Sequence, residues 1–451
     1  MAKHYIDSNR KQAYLLPPSI DEWLPAKHLA RFISEVIEHL DLSTIHKHYT
    51  GNGGSKAYHP KVLLGLLFYG YATGTFSSRK IERATYDSVA FRYLSVNTHP
   101  DHDTIAHFRK RFLPQLEDLF VQILLIAQSA GFLKVGTISL DGTKMKANAS
   151  KHKALSYGYA NRLQKQLEAE VRVLMQKANE ADKDDENDGM DIPDEIARRE
   201  ERLAVIKAAK ETIEQRARER YKKEKALYDE KIEKRKAKET LTGRKPRGKP
   251  PTPPKEAPRP TDQVNLTDEA SRIMKTSGGG FEQCYNAQAS VEHDSRLIVH
   301  QHLTQNTNDK HEMAPTLQWF ATHPELKPSS LLADAGYFSE SNVVMCEQEE
   351  VMPYISFGKE QHNQPLEVRF KKEDPPPENP TPVAAMKHRL QTKEGKAVYA
   401  QRKSTVEPVF GIIKQVMGFR QFMLRGLEKV KGEWNLVCIA YNLKRLHTMM
   451  G

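Results

Sequence analysis

Cysteine is scarce in this 451-residue sequence, and so are long apolar runs. The three cysteines, Cys284, Cys346 and Cys438, lie far apart and form no Cys-x-x-Cys pair. That excludes a disulfide framework and a paired-thiolate metal site, and it predicts a reducing compartment. The apolar runs at 62–68 and 119–126 are far too short to cross a bilayer. The opening residues, Met1 to Tyr5, carry no apolar leader core. Hydrophobic residues make up only 38% of the chain against 28% charged, so part of it should be solvated. These scarcities together predict a soluble, cytoplasmic protein of several domains with no membrane partner.

Basic charge is what the chain has in excess. Its formal net charge is +11, which favours a polyanionic partner such as nucleic acid, or an anionic membrane surface. The first third reads as short helices joined by short turns. Helices are expected at 27–40, at 61–71 behind Pro60, at 77–86 behind a serine cap, at 104–112 capped by Asp103, and at 116–130 ending on Gly131. Arg79, Lys80, Arg83, Arg109, Lys110 and Arg111 are displayed on these helices. The pattern suggests a helix-turn-helix-like DNA-binding domain over 1–131. The plainer alternative is a helical domain whose basic residues face water.

A strand is expected at 135–141, ending on Asp141 before Gly142 and Thr143. From 155 to 240 the pattern becomes helical: Leu163, Leu167, Val171 and Leu174, then Ile196, Leu203, Ile206 and Ile213 after Pro193, with an acidic loop at 181–192 between. This predicts an inserted antiparallel helical hairpin with a narrow apolar seam. A basic, Pro-rich linker follows over 241–261.

Residues 285–291 alternate as a strand, paired through Asp294 and Ser295 with a second strand at 296–304. His300 and His302 share a face there, without a third ligand at metal spacing. Residues 330–334 form a short strand ending on a second acid, Asp334; a helix capped by Ser339 and a strand at 354–357 complete a parallel strand–helix–strand unit. A Pro-rich loop at 371–382 precedes a helix starting near Glu407, with Thr405 as cap and Pro408 in the first turn. Glu407, Gly411 and Lys414 share one helical face, opposite an apolar stripe of Val409, Ile412, Ile413 and Val416. A long helix at 427–446 should cover the sheet. The fold class is α/β, a mixed sheet with flanking helices, a helical amino-terminal domain and a helical insertion.

Asp141, Asp334 and Glu407 form the candidate site. Three carboxylates meeting at a sheet rim repel one another unless cations lie between them. Hard divalent ions, Mg²⁺ or Mn²⁺, suit oxygen ligands, and two such ions support phosphoryl transfer.

These boxes resemble those of insertion-sequence DDE transposases bearing the Tyr-Arg-Glu-Lys signature. The match lies in Asp141-Gly142-Thr143, Asp334-Ala335-Gly336-Tyr337, and Tyr399, Arg402, Glu407 and Lys414, with support from Tyr58-His59-Pro60, Asp103-Thr104-Ile105, and Tyr285-Asn286-Ala287-Gln288. It runs from about residue 58 to the C-terminus, excepting the helical insertion. The signature spaces Arg and Glu by three residues, whereas four separate Arg402 from Glu407 here, so the basic partner is either Arg402 or Lys403. The resemblance implies an RNase H-like catalytic domain over 132–154 and 262–451. It implies Asp141, Asp334 and Glu407 as catalytic ligands of two Mg²⁺ or Mn²⁺ ions. Tyr399, Arg402 (or Lys403) and Lys414 would contact DNA near the scissile phosphate. It further implies a bacterial, nucleoid-associated enzyme acting on terminal inverted repeats as a homodimer or higher oligomer. A catalytically inactive, transposase-derived DNA-binding protein is the alternative.

Overall fold

A computed structural model describes residues 19–49, 57–181, 192–245, 248–276, 278–358 and 375–451. The acidic loop's residues 182–191, the linker's 246–247 and the Pro-rich loop's 371–374 lie outside them. The chain forms two compact units, Met1–Ala147 with Tyr285–Gly451, and Asn148–Cys284.

The first unit opens with helices α1 (Leu29–Glu38), α2 (Ser43–His46), α3 (Pro60–Ala72), α4 (Ser78–Asp87), α5 (Val89–Leu94), α6 (His102–Phe112) and α7 (Leu116–Ser129). Pro60 occupies the first turn of α3, where its missing N–H costs nothing, and His59 Nδ1 accepts from Lys61 N at 3.2 Å. Helix α6 begins earlier than expected. Its cap is Asp101, which accepts from Thr104 N at 2.6 Å, and Asp103 sits exposed inside the first turn. Gly131 follows α7 at φ 79°, as a helix-ending glycine should.

Strand β1 (Thr137–Lys146) leads into the second unit, which holds β2 (Ala154–Ser156), α8 (Tyr157–Ala181), α9 (Ile192–Thr242), β3 (Gln263–Asn265) and β4 (Arg272–Lys275). The hairpin forms as expected. Leu167 and Val171 of α8 pack with Leu203, Ile206, Ala209 and Ile213 of α9 in one apolar seam. Helix α9 has 51 residues against 25 in α8, so its distal half has no helical partner among the described residues. That half is flanked instead by the Pro-rich segment, which turns back along it. Arg235 donates to the carbonyls of Gly248 and Lys249, Arg259 to Glu224 at 3.4 Å, and Arg220 to Asp262 at 2.9 and 3.0 Å. The expected linker is thus the second half of the arm.

Strand β5 (Phe281–Glu292) begins in this unit, pairing antiparallel with β4, and continues into the first. There it pairs antiparallel with β6 (Ile298–Thr304), as the hairpin pattern predicts. Helix α10 (Met313–Thr322), β7 (Ser330–Ala333), α11 (Glu340–Gln348) and β8 (Met352–Ile355) follow. The first unit's strand order is β6-β5-β1-β7-β8, with β1, β7 and β8 parallel. Ser339 caps α11 by accepting from Asn342 N at 3.1 Å.

The last elements are α12 (Pro382–Gln391), α13 (Lys393–Gly411) and α14 (Leu427–Met449). Helix α13 begins more than three turns before the expected start at Glu407. Thr392 is its cap, accepting from Gly395 N at 2.9 Å, and helix-competent residues carry the helix through Pro408. Thr405 caps nothing; its hydroxyl donates to Gln401 O at 2.7 Å, one turn back. A π-helical turn, Ile412–Val416, follows Gly411. Its wider turn shifts the apolar phase by one residue: Val416 is 64% exposed and Met417 takes the core position.

Helix α14 does more than cover the sheet, as its pattern predicts; it is the unit's axis. It packs against β6 on one side and α3 and α7 on the other. Trp434 donates to Gln288 O at 3.1 Å, and Asn442 satisfies both backbone groups of Ile298. The helices before residue 131 therefore share one compact unit with the sheet.

Candidate active site

The site begins with strand register. Leu140 of β1 stands opposite Ala333 of β7 in a parallel pair, so Asp141 and Asp334 are the next residues on adjacent strands. Neighbouring strands lie about 4.8 Å apart. Strand β7 stops at Ala333, whereas β1 runs on to Lys146, where Phe422 N donates to its carbonyl at 2.9 Å. Asp141 is thus mid-strand, not at a strand end as expected, and the rim exists because β7 is short. Each carboxylate accepts a nearby backbone N–H at 2.8 Å, Asp141 from Gly142 and Asp334 from Gly336.

Arg402, on α13, faces both strands. Its Nη1 donates to Asp141 Oδ2 at 3.2 Å, and its Nη2 lies 3.8 Å from Glu407 Oε1. Asp334 and Tyr399 also act on it electrostatically. The guanidinium is 11% exposed and Glu407 56%. Lys403, the next residue, is exposed. Lys414 reaches the site from the π turn and donates to the Thr143 hydroxyl. Burial pushes the Asp141 carboxyl up to about 6. Arg402 and the Gly142 N–H oppose that rise; Asp334 and Asp309 add to it.

Asp309 is a further acid at the site, outside the three expected. It accepts from Asn286 at 2.6 Å and Gln288 at 2.8 Å, and Lys144 lies 3.3 Å away. Gln288 in turn accepts from the buried Tyr337 hydroxyl. These groups leave no room beside Gly142: a Cβ there would lie 2.1 Å from Gln288 Nε2 and 2.7 Å from Asp309 Oδ1. The signal is partly visible in sequence, since Asn286 and Gln288 alternate along a strand with apolar neighbours, and polar residues on a buried face need partners.

Two family models match the chain: one described as transposase DDE domain at residues 251–443, and one described as transposase domain (DUF772) at residues 18–111. The first covers β5 to β8 with Asp309, Asp334 and Glu407 but leaves out β1 and Asp141; the second covers the amino-terminal helices as far as α6. The chain belongs to the insertion-sequence DDE-type transposases. No curated protein and no solved structure matches it.

The basic residues expected to touch DNA are spread over the transposase. Arg79, Lys80 and Arg83 lie exposed on α4, with Arg83 paired to Asp87 at 3.2 Å. Arg111 is exposed on α6, donating to His48 O at 3.1 Å. Arg109 is a correction. It is 7% exposed and donates to the Tyr71 hydroxyl and Phe76 O, both at 3.0 Å. Tyr71 donates on to the buried Glu433 at 2.8 Å. One helical step from Phe108 and Phe112 set it inward, where Glu433 supplies the opposite charge. His302 is held by Glu312 at 2.9 Å, and among the described residues no three His, Cys, Asp or Glu side chains form a ready metal cluster. No described helix is long and apolar enough to cross a membrane.

Proposed function

We propose that this transposase binds the terminal inverted repeats of an insertion sequence and catalyses metal-dependent strand cleavage and strand transfer. Asp141, Asp334 and Glu407 are its catalytic carboxylates. The observation that carries the reading is the register that makes Asp141 and Asp334 neighbours, with Arg402 joining Asp141 to Glu407. The sheet, with an antiparallel pair on one side of β1 and two parallel strands on the other, supports an RNase H-like core.

The donor set fits a divalent cation in kind. All three candidates are carboxylates, suited to Mg²⁺ or Mn²⁺. Asp141 is held in a place that penalises its lone charge, and a cation there relieves the penalty. Two such ions would supply activation of a water or 3′-hydroxyl and stabilisation of the leaving oxygen. The chain's own part is positional. The carboxylates hold the ions, Arg402 orients Asp141 and Glu407, and Tyr399, Arg402 and Lys414 receive the DNA backbone. Arg79, Lys80, Arg83 and Arg111 bind duplex DNA away from the chemistry, and the enzyme acts as a homodimer or higher oligomer on paired ends.

The test is cleavage and joining of the element's own ends by purified protein. Activity should require Mg²⁺ or Mn²⁺ and vanish in Asp141→Ala, Asp334→Ala and Glu407→Ala while end binding persists. Equal cutting in EDTA, or after Asp334→Ala, overturns the mechanism.

A further inference from the structure

The chain's positive charge is unevenly placed. Among the described residues between 234 and 249 there are seven Lys or Arg and one acid, Glu239, in a chain whose net charge is +11. They lie at the C-terminal end of α9, the arm tip, and beside Gly243 and Gly248, both at positive φ. Arg235 donates to the Gly248 and Lys249 carbonyls. Lys236, Lys238, Arg244, Lys245 and Lys249 are all exposed.

The packing of the arm explains why the surplus faces outward. Tyr221, Glu224, Tyr228, Ile232, Arg235 and Glu239 form the partly covered stripe of the distal half, at helical spacing. The returning segment meets that half through Arg259–Glu224 and Arg220–Asp262. Two acids are therefore occupied within the arm. Cations near a helix C-terminus do favour the helix dipole, but only within its last turn. Lys236 and Lys238 lie further back, and Arg244 to Lys249 lie beyond the helix.

We infer that the arm tip is a second DNA-binding surface, which grips the phosphate backbone of duplex DNA without reading sequence. Duplex DNA is favoured over other polyanions. Residues 229–260 contain no aromatic side chain, so the tip has no stacking platform for single strands. Nor does it present the continuous apolar face by which a basic helix enters a membrane surface. Charge alone suffices for a duplex backbone. This inference rests on the reading that the transposase acts on DNA.

The test uses the full chain and a duplex of unrelated sequence. Lys236, Lys238, Arg244, Lys245 and Lys249 are replaced together by Gln; Arg235 is kept because it holds the Gly248 and Lys249 carbonyls. The thermal melt should be unchanged. Affinity at low salt should fall at least about tenfold, and the salt dependence should flatten by roughly 0.9 in log–log slope for each phosphate the tip no longer neutralises. Unchanged affinity and slope overturn the inference, as does a loss confined to single-stranded RNA or anionic vesicles. If the unaltered protein binds no duplex at all, the proposed function fails with it. If the unaltered protein binds and the variant binds equally, only the arm's role is lost.

Discussion

Arg402 and Asp141 stand 261 residues apart in sequence and meet at 3.2 Å. The pairing bears on the choice the sequence leaves open between Arg402 and Lys403: Arg402 contacts Asp141 and Glu407, whereas Lys403 is exposed. Arg402→Ala should therefore lower end cleavage by about a hundredfold or more, in the range for a lost preorganised electrostatic group. Lys403→Ala should leave it within a few-fold. Single-turnover cleavage on end DNA decides it, and equal losses in both variants would sink the assignment.

Asp141 also makes stability depend on pH. Its folded carboxyl is raised to about 6 from an ordinary 3.8. The folded state thus binds its proton more tightly than the unfolded chain does. The resulting stabilisation is complete below about pH 3.8 and lost as pH rises through 6, a difference of about 3 kcal/mol. Denaturant unfolding in EDTA should show Asp141→Asn gaining on the unaltered protein as pH rises from 4 to 7. A pH-independent difference between the two would count against the raised value.

Gly142 is fixed by space. Its Cβ position lies within 3 Å of Gln288, Asp309 and Asn286. Gly142→Ala should cost about 1–3 kcal/mol through overpacking and displace Asp141 with it. Asp309→Asn keeps the volume but leaves Lys144 and two amides without their carboxylate. It should lower both Mn²⁺ affinity, read by calorimetry, and cleavage. Unaltered Mn²⁺ affinity would make Asp309 a purely structural residue.

Arg109 separates folding from binding. Arg109→Ala removes the donor to the Tyr71 hydroxyl and Phe76 O and leaves Glu433 held by Tyr71 and the Met423 and Leu424 N–H groups, and such a loss costs about 1–3 kcal/mol. Arg79→Ala with Lys80→Ala should leave the melting temperature unchanged and weaken duplex binding. The reverse pattern would place the DNA surface elsewhere.

How legible all this is depends on whether the deciding information is local. The hairpin's apolar seam, Pro60 at the start of α3, the cap at Ser339 and the strand–helix–strand unit at Asp334 are short-range patterns, and the sequence displays them. The start of α13 is hidden because Glu407-Pro408 resembles a first turn, while the true cap at Thr392 lies far upstream. Val416 is misplaced by its pattern because a π turn breaks the 3.6-residue period on which the stripe depends. Arg109 and Asp309 are harder to read for a different cause. Each is defined by partners distant in sequence, Tyr71 and Glu433 for one and Lys144 for the other, and only the alternating Asn286 and Gln288 hint at the second.

Helix α14 gives the protein a timing problem. Trp434, Val437 and Leu443 are fully buried, and α3 and α7 rest their apolar faces on the helix that carries them. Those early helices leave the ribosome long before residues 427–449 exist, so until then they can pack on one another but the faces of α3 and α7 that meet the late helix stay uncovered. The nascent chain must wait, greasy and protease-sensitive, for the late helix to be made. Any event that stops translation short of it removes the scaffold on which both the acids and the amino-terminal helices depend, so partial products should be degraded rather than persist as competitors for DNA.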